Sequence, residues 1–315
     1  MNRLLARDAR PRPQRGVAVV TALLIAALVT VLAAQWFAAQ DALGRTVEVQ
    51  RSGAQARWLL TAATDWARLL LREDGNQQYD HLLEVWAIPL APTRITDESG
   101  RLEAFASGRI EDAQARFNLA DLVNEGGMYG PGITALQRLF EAIGLPENEA
   151  SAIANAVNRT LPANRAFVGG SPPMPQIKTV LDLQGMKDIS DNTLMQLVPY
   201  TTVYPRSSST ELSPININTA PAPVIAAIDP VFAGGVAQAV VSRRERSTYF
   251  RNLETDVPEY SKRVQSADEK RPPPRLFSNY FIATGRLQLG RVDIARQAML
   301  RRSNNQTEMI WVRDI

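Results

Sequence analysis

No cysteine occurs anywhere in the 315 residues, and histidine occurs once, at His81. The first absence excludes a disulfide framework, Cys-ligated zinc, iron–sulfur clusters and thiol nucleophiles, so stability has to come from packed cores. The second excludes a His–His metal pair and leaves a Ser-His-Asp relay one imidazole in a turn-rich segment, with no G-x-S-x-G elbow to serve it. The Gly-rich stretch NEGGMYGPG (124 to 132) has no Lys-Ser/Thr after it, so it is a flexible turn and not a Walker loop. A general excess of positive charge is missing too. The whole chain has 35 basic and 32 acidic side chains; residues 1 to 16 hold five arginines against Asp8, which leaves 30 basic and 31 acidic beyond them. A polyanion binder needs Lys and Arg concentrated on its folded surface, and net charge offers none outside the leader.

What is present begins with that leader, with Arg3, Arg7, Arg10, Arg12 and Arg15. Directly after it comes VAVVTALLIAALVTVLAA, residues 17 to 34, interrupted only by Thr21 and Thr30. Eighteen residues at about 1.5 Å each reach roughly 27 Å, the hydrocarbon thickness of a bilayer. Arginines ahead of the run predict a cytoplasmic N-terminus and a chain that crosses once. A secretory signal peptide would start in the same way, with Ala33, Ala34, Ala38 and Ala39 available for cleavage. Against it, Gln35 to Arg72 contains no proline and is rich in helix formers, so the helix is expected to run on to about residue 72. Trp58, Ala62, Trp66, Leu69 and Leu70 fall on one predicted apolar stripe of that extension.

Beyond the helix, residues 72 to 100 read as turns. RLEAFASGRIEDAQARFNL reads as short strands, with Gly100 and Gly108 at turns, and strand patterns return only in LFSNYFIATGRLQL, GRVDIARQAMLRR and TEMIWVRD. About 155 residues of helical pattern lie between these two sets. ITALQRLFEAIGL sets Leu136, Leu139, Phe140 and Ile143 on one face with Gly144 as a stop, and ENEASAIANAVNRTL repeats the pattern. Strands on both sides predict a helical domain inserted into a sheet domain.

The N-terminus resembles that of type IV prepilin-like proteins: Gln14-Arg15-Gly16 precedes Val17 and the apolar run, which implies cleavage between Gly16 and Val17 by a prepilin peptidase and a methylated new N-terminus. The mature first residue departs from the Phe or Met common in that family. Thr21 stands where a Glu is common. In a filament that Glu would pair with the amine of a neighbouring subunit inside an apolar bundle, where an unpaired carboxylate is costly. The stretches YDHLLEVWAIPL, GRIEDAQARFNLADL, TVLDLQGMKDISDNTLMQLVPYTTVYP, ININTAPAPVIAAI and FSNYFIATG follow, in order, the pattern of the type II secretion minor pseudopilins of the K type.

The resemblance implies an α+β fold: a type IV pilin-like N-terminal helix packed on a small antiparallel sheet, with a large all-α domain inserted into the sheet domain. The expected layout is a leader at 1–16, a transmembrane part at 17–38 and a periplasmic amphipathic part at 39–72. Sheet domain follows at 73–118, an insertion with two helix-hairpin-helix-like units at 119–274, and completing strands at 275–315. Asp112 to Leu119 would link sheet to insertion, and Asn218 or Thr219 would N-cap the second unit. The implied role is a non-enzymatic cap at the tip of a secretion pseudopilus, lacking the Glu because no subunit sits above it. The implied place is the inner membrane, head in the periplasm. Implied partners are the I-type and J-type minor pseudopilins, the major pseudopilin G, the prepilin peptidase and the inner-membrane assembly platform; an H-type subunit, the secretin and exoprotein cargo are left open. No cofactor is expected apart from calcium, which the family suggests without assigned ligands; Glu254, Asp256 and Glu259 lack EF-hand spacing. The rival reading is a membrane-anchored helix-hairpin-helix DNA-binding protein of competence type. Against it, Asp188 and Asp229 sit in the two hairpins, and the SRRERS run (242 to 247) reads as a solvated helix face.

Overall fold

Helix α1 runs unbroken from Arg15 to Glu73 in the computed structural model, which describes residues 15–74, 78–96, 103–161, 177–206, 210–262, 274–303 and 306–315. Leader residues 1–14 lie outside the described residues. The chain divides into two compact units, Met1–Gln55 and Ala56–Ile315, and α1 contributes to both. No proline interrupts it, and Arg72 lies in its last turn, where a cation suits the exposed carbonyls.

In the second unit α1 packs on a five-stranded antiparallel sheet of β1 (Leu90–Thr96), β2 (Glu103–Asp112), β7 (Tyr280–Leu289), β8 (Val292–Ser303) and β9 (Gln306–Asp314), paired in that spatial order. β1 lies in the stretch read as turns. Its signal is hidden because six of its seven residues are exposed, so it shows no apolar alternation, and Pro92 falls at the bulge between Leu90 and Thr93 on an edge that can spare a donor. Gly108 is likewise no turn: it pairs across the strands with Gly285, and a Cβ on Gly285 would come within 3.3 Å of Leu60 Cδ2 on α1.

The face that α1 lays on the sheet is Ala56, Leu60, Ala67 and Leu71, set against Ala104, Ile110, Phe281, Ala283, Leu287 and Leu300. The expected stripe points elsewhere. Trp58 is 77% exposed and Trp66 52% exposed, and only Leu70 of that set reaches the core. Small side chains at 56 and 67 let the helix axis approach the sheet, which an indole at either position would prevent.

The chain leaves the sheet at Asp112 and rejoins it at Tyr280 on the adjacent strand. Between them lies the largest core, shared by α2 (Gly130–Ile143), α3 (Glu147–Thr160), α4 (Asp191–Leu197), α5 (Ala222–Ile228), α6 (Val236–Ser247) and α7 (Leu253–Asp256). The inserted region is not purely helical. β3 (Phe117–Asn118) pairs in parallel with β6 (Thr201–Thr202), and β4 (Val123–Asn124) pairs with β5 (Gly127–Met128). The glycine-rich stretch is therefore an ordered hairpin, held by the Gly126 amide donating to Asn124 Oδ1 at 3.0 Å. α2 ends at Gly144, whose φ of 73° is the left-handed stop its sequence suggests. α2 crosses the Asp121 backbone so closely at Gly132 that a Cβ there would lie 1.9 Å from the Asp121 carbonyl oxygen.

Only the second hairpin unit has a helix on both sides, α5 and α6; the first pairs a 3₁₀ turn (Val180–Leu183) with α4.

Candidate functional site

Two features carry functional chemistry: the apolar part of α1, and the seam where the insertion meets the sheet. Along the first, Val17, Val20, Leu24, Leu28 and Leu32 are all exposed, and the apolar character extends round the helix. The only polar interruptions satisfy themselves. The Thr21 hydroxyl donates to the carbonyls of Val17 and Ala18, both at 3.0 Å, and Thr30 donates to Ala26 at 2.8 Å. A helix that leaves no donor unpaired and presents hydrocarbon on every side suits a bilayer. Gly16 and Val17 lie in its first turn, which begins at Arg15.

The seam is organised by Asp112, the last residue of β2 and fully buried. Its carboxylate accepts from the Gln114 amide at 2.7 Å, Asn216 Nδ2 at 2.9 Å, Thr219 Oγ1 at 2.5 Å and Ser278 Oγ at 2.6 Å. Burial raises its pKa, and these four donors oppose the rise. The donors come from the chain leaving the sheet, from the start of the second hairpin unit and from the chain returning. Asn216 and Thr219 are thus structural, while Asn218 and Thr219 do not cap a helix: α5 is preceded by Pro221, and Asn218 exchanges hydrogen bonds with the Phe250 backbone.

Next to Asp112, carboxylate oxygens of Asp74, Asp80 and Glu84 gather within 4.8 Å of one another. Calcium prefers six to eight oxygens around one point. Here the Arg302 guanidinium occupies the cluster, 2.7 Å from Asp74 Oδ2 and 2.6 Å from both oxygens of Asp80, while Trp86 Nε1 donates to Glu84. The residues do not fit a calcium ion, because the Arg302 guanidinium already stands between Asp74 and Asp80 where the ion would have to sit. Nor do Glu254, Asp256 and Glu259 converge. Glu259 holds Arg243 in a bidentate pair at 2.8 and 2.9 Å, and Asp256 accepts from the amides of Arg251 and Asn252.

The SRRERS run is a solvated face only in part: Glu245, Arg246 and Ser247 are exposed, while Arg243 and Arg244 are not. Arg244 is buried and donates to the carbonyls of Ile217 and Ala220 at 2.7 and 2.8 Å. His81 stacks on Tyr249 with ring centroids 3.9 Å apart, and its Nδ1 accepts from the Leu83 amide. Asp229, in the second hairpin, accepts from the Val231 amide at 3.0 Å and so closes a turn.

A groove of about 390 Å³ separates α1 from the 86–90 segment and the sheet, lined by Leu59, Ala62, Trp66, Ile88, Ile95 and Leu287. Sequence reading missed this groove, and of the seam it reached only the Asp112-to-Leu119 link; a further signal was Arg302, a cation in a strand after the apolar Ala298-Met299-Leu300.

Two family models, both described as type II secretion system (T2SS) protein K, match residues 115–206 and 215–255. The type II secretion system protein K of Pseudomonas aeruginosa is 30% identical over 269 residues, 76% of this chain and 74% of that protein. The chain belongs to the type II secretion system protein K family. The Klebsiella pneumoniae protein of the same description is 23% identical across 96% of this chain and 98% of its own length. A crystal structure of the GspK-GspI-GspJ complex from the enterotoxigenic Escherichia coli type 2 secretion system shares the fold, with a TM-score of 0.56 at 14% identity over 85% of this chain and 98% of that one. As a K-family protein the chain is a minor pseudopilin, a structural component of secretion and not an enzyme, and its apolar helix fits a single-pass membrane anchor.

Proposed function

We propose that this K-family pseudopilin caps the tip of the type II secretion pseudopilus and promotes its assembly, for export of folded proteins from the periplasm through the outer-membrane secretin. The observation that carries the proposal is the helical region inserted between the adjacent strands β2 and β7, which adds residues 113–279 to an otherwise minimal sheet domain. Thr21 supports the reading. Its hydroxyl is satisfied within its own helix, so it asks for no amine from a subunit above.

In this account the leader is cut between Gly16 and Val17 by the prepilin peptidase, Val17 becomes the methylated N-terminus, and α1 anchors the head on the periplasmic face of the inner membrane. Trp58, Trp66 and Leu69 and the groove beside them supply apolar surface for neighbours. I-type and J-type subunits are the first partners to expect, since the E. coli relative is described in complex with both. The major pseudopilin G and the assembly platform follow. The DNA-binding rival loses support, because Arg243 and Arg244 are spent on internal contacts.

The deciding experiment labels the head with an epitope and images isolated pseudopili. Label confined to fibre ends is the expected result. Label distributed along the shaft would overturn the capping role.

A further inference from the structure

Among the described residues, the seam beside α1 sets the carboxyls of Asp74, Asp80, Glu84 and Asp112 around one guanidinium. Asp80 is wholly buried, Asp74 and Glu84 are mostly so, and Asp112 lies fully buried next to them. One guanidinium, Arg302, serves Asp74 and Asp80 together, and it also donates to the Ser278 carbonyl at 3.0 Å. Among the described residues Asp112 has hydrogen-bond donors and no ion pair. His81 Nε2 lies 3.9 Å from Glu84 Oε1, and burial, opposed by Asp74, lowers the His81 pKa and so disfavours it as a second cation. Arg251 lies over Tyr249, the ring on which His81 stacks, and reinforces the neutral form.

The same residues hold separate pieces of chain together. The Ser278 amide donates to Asp80 Oδ2 at 2.6 Å, the Asp80 amide to the Leu276 carbonyl at 2.8 Å, and Asn216 Nδ2 to the Asp80 carbonyl at 3.1 Å. Arg302 brings in β8, Asp74 the chain just after α1, and Asp112 the end of β2. Unbalanced charge at such a crossing is costly unless a proton is taken up.

From this geometry we infer that the seam is a proton-dependent latch: a proton held within the Asp74–Asp80–Glu84–Asp112 cluster closes it, and loss of that proton loosens the join between sheet and insertion. The inference stands on the seam alone and is independent of where the subunit sits in a fibre. Burial, opposed chiefly by Arg302 at Asp80 and by the Trp86 indole at Glu84, raises both carboxyls to about 7. A carboxyl raised on closing stabilises the closed form fully below its open-state value, and the stabilisation is lost as pH rises through about 7. The groups act as one coupled set, so the proton belongs to the cluster.

Amide exchange on the full chain in detergent micelles tests this between pH 5 and pH 8.5, corrected for intrinsic exchange rates. Protection of the Asp80, Asn216 and Ser278 amides is expected to fall about tenfold per pH unit between about pH 5 and pH 7 for each proton that only the closed form holds, and to level off above 7, while the α2 amides of Leu139 and Phe140 hold steady. The double variant Asp80→Asn, Glu84→Gln should flatten that slope. A protonated carboxyl stretch should appear in infrared spectra of the unmodified chain at pH 6 and vanish by pH 8.5, a readout that remains if the double variant does not fold. Protection independent of pH in the unmodified chain, absence of that band, or a full slope in a folded double variant would each overturn the latch.

Discussion

At Gly132 the packing of α2 depends on a single hydrogen in place of a methyl group. The Asp121 carbonyl lies where a Cβ would have to be, so Gly132→Ala must push α2 away from the turn at Leu119–Leu122. Overpacking of this kind costs typically 1–3 kcal/mol, and the expected result is a lower denaturation midpoint with an unchanged slope. Asp121 itself is fully buried between Ser213 and Arg206, and burial raises its pKa to about 6. Relative to Asp121→Asn, the native chain should then be favoured below pH 4 and lose up to about 3 kcal/mol of that advantage as pH rises past 6, read from paired unfolding curves. A difference that stays constant with pH would refute the assignment. Neither residue advertises itself in sequence. Gly132 looks like one more glycine in a Gly-rich turn, and Asp121 like an ordinary acidic residue, because close approach and burial are made by partners more than 10 and 80 positions away.

Helix α1 shows how far periodicity carries an element. Its existence, length and apolar first half follow from composition, since no proline occurs between Val17 and Glu73 and the helix runs through Gly44 and Gly53. Which face meets the sheet did not follow, because two stripes with helical spacing coexist and size, not hydrophobicity, selects the smaller one. Leu60→Ala on the buried stripe should cost about 2–4 kcal/mol in unfolding free energy. Trp66→Glu on the exposed stripe should cost less than about 1 kcal/mol yet weaken co-purification with I-type and J-type subunits. A large stability loss for Trp66→Glu would show that its ring packs within this chain, contrary to its exposure. The edge strands give the complementary lesson. β1 was illegible because it buries almost nothing. β9 was legible through Trp311, although not the strap that covers it, where Arg313 pairs with Asp182 at 2.9 Å and Lys178 lies over the Trp311 ring.

For the molecule as a whole, a split pattern of strands around a long helical stretch was enough to read an insertion, and the chain's exit and return on neighbouring strands is the physical reason. A new segment can be added between adjacent antiparallel strands without disturbing their ladder. The apolar start of α1 and the inserted region are far apart in sequence, so the proposed processing step can be tested by a substitution at the start of the helix. Gly16→Leu changes a residue in the first turn of α1, within the Met1–Gln55 unit. It should leave a folded, membrane-bound precursor that retains residues 1–16 and fails to support exoprotein release, whereas the unmodified chain from a peptidase-positive cell should begin at Val17. Normal release from cells containing only the uncut Gly16→Leu chain would mean that the free N-terminus is not what admits this subunit to the fibre, and the Thr21 argument, which depends on how such termini pair, would fall with it.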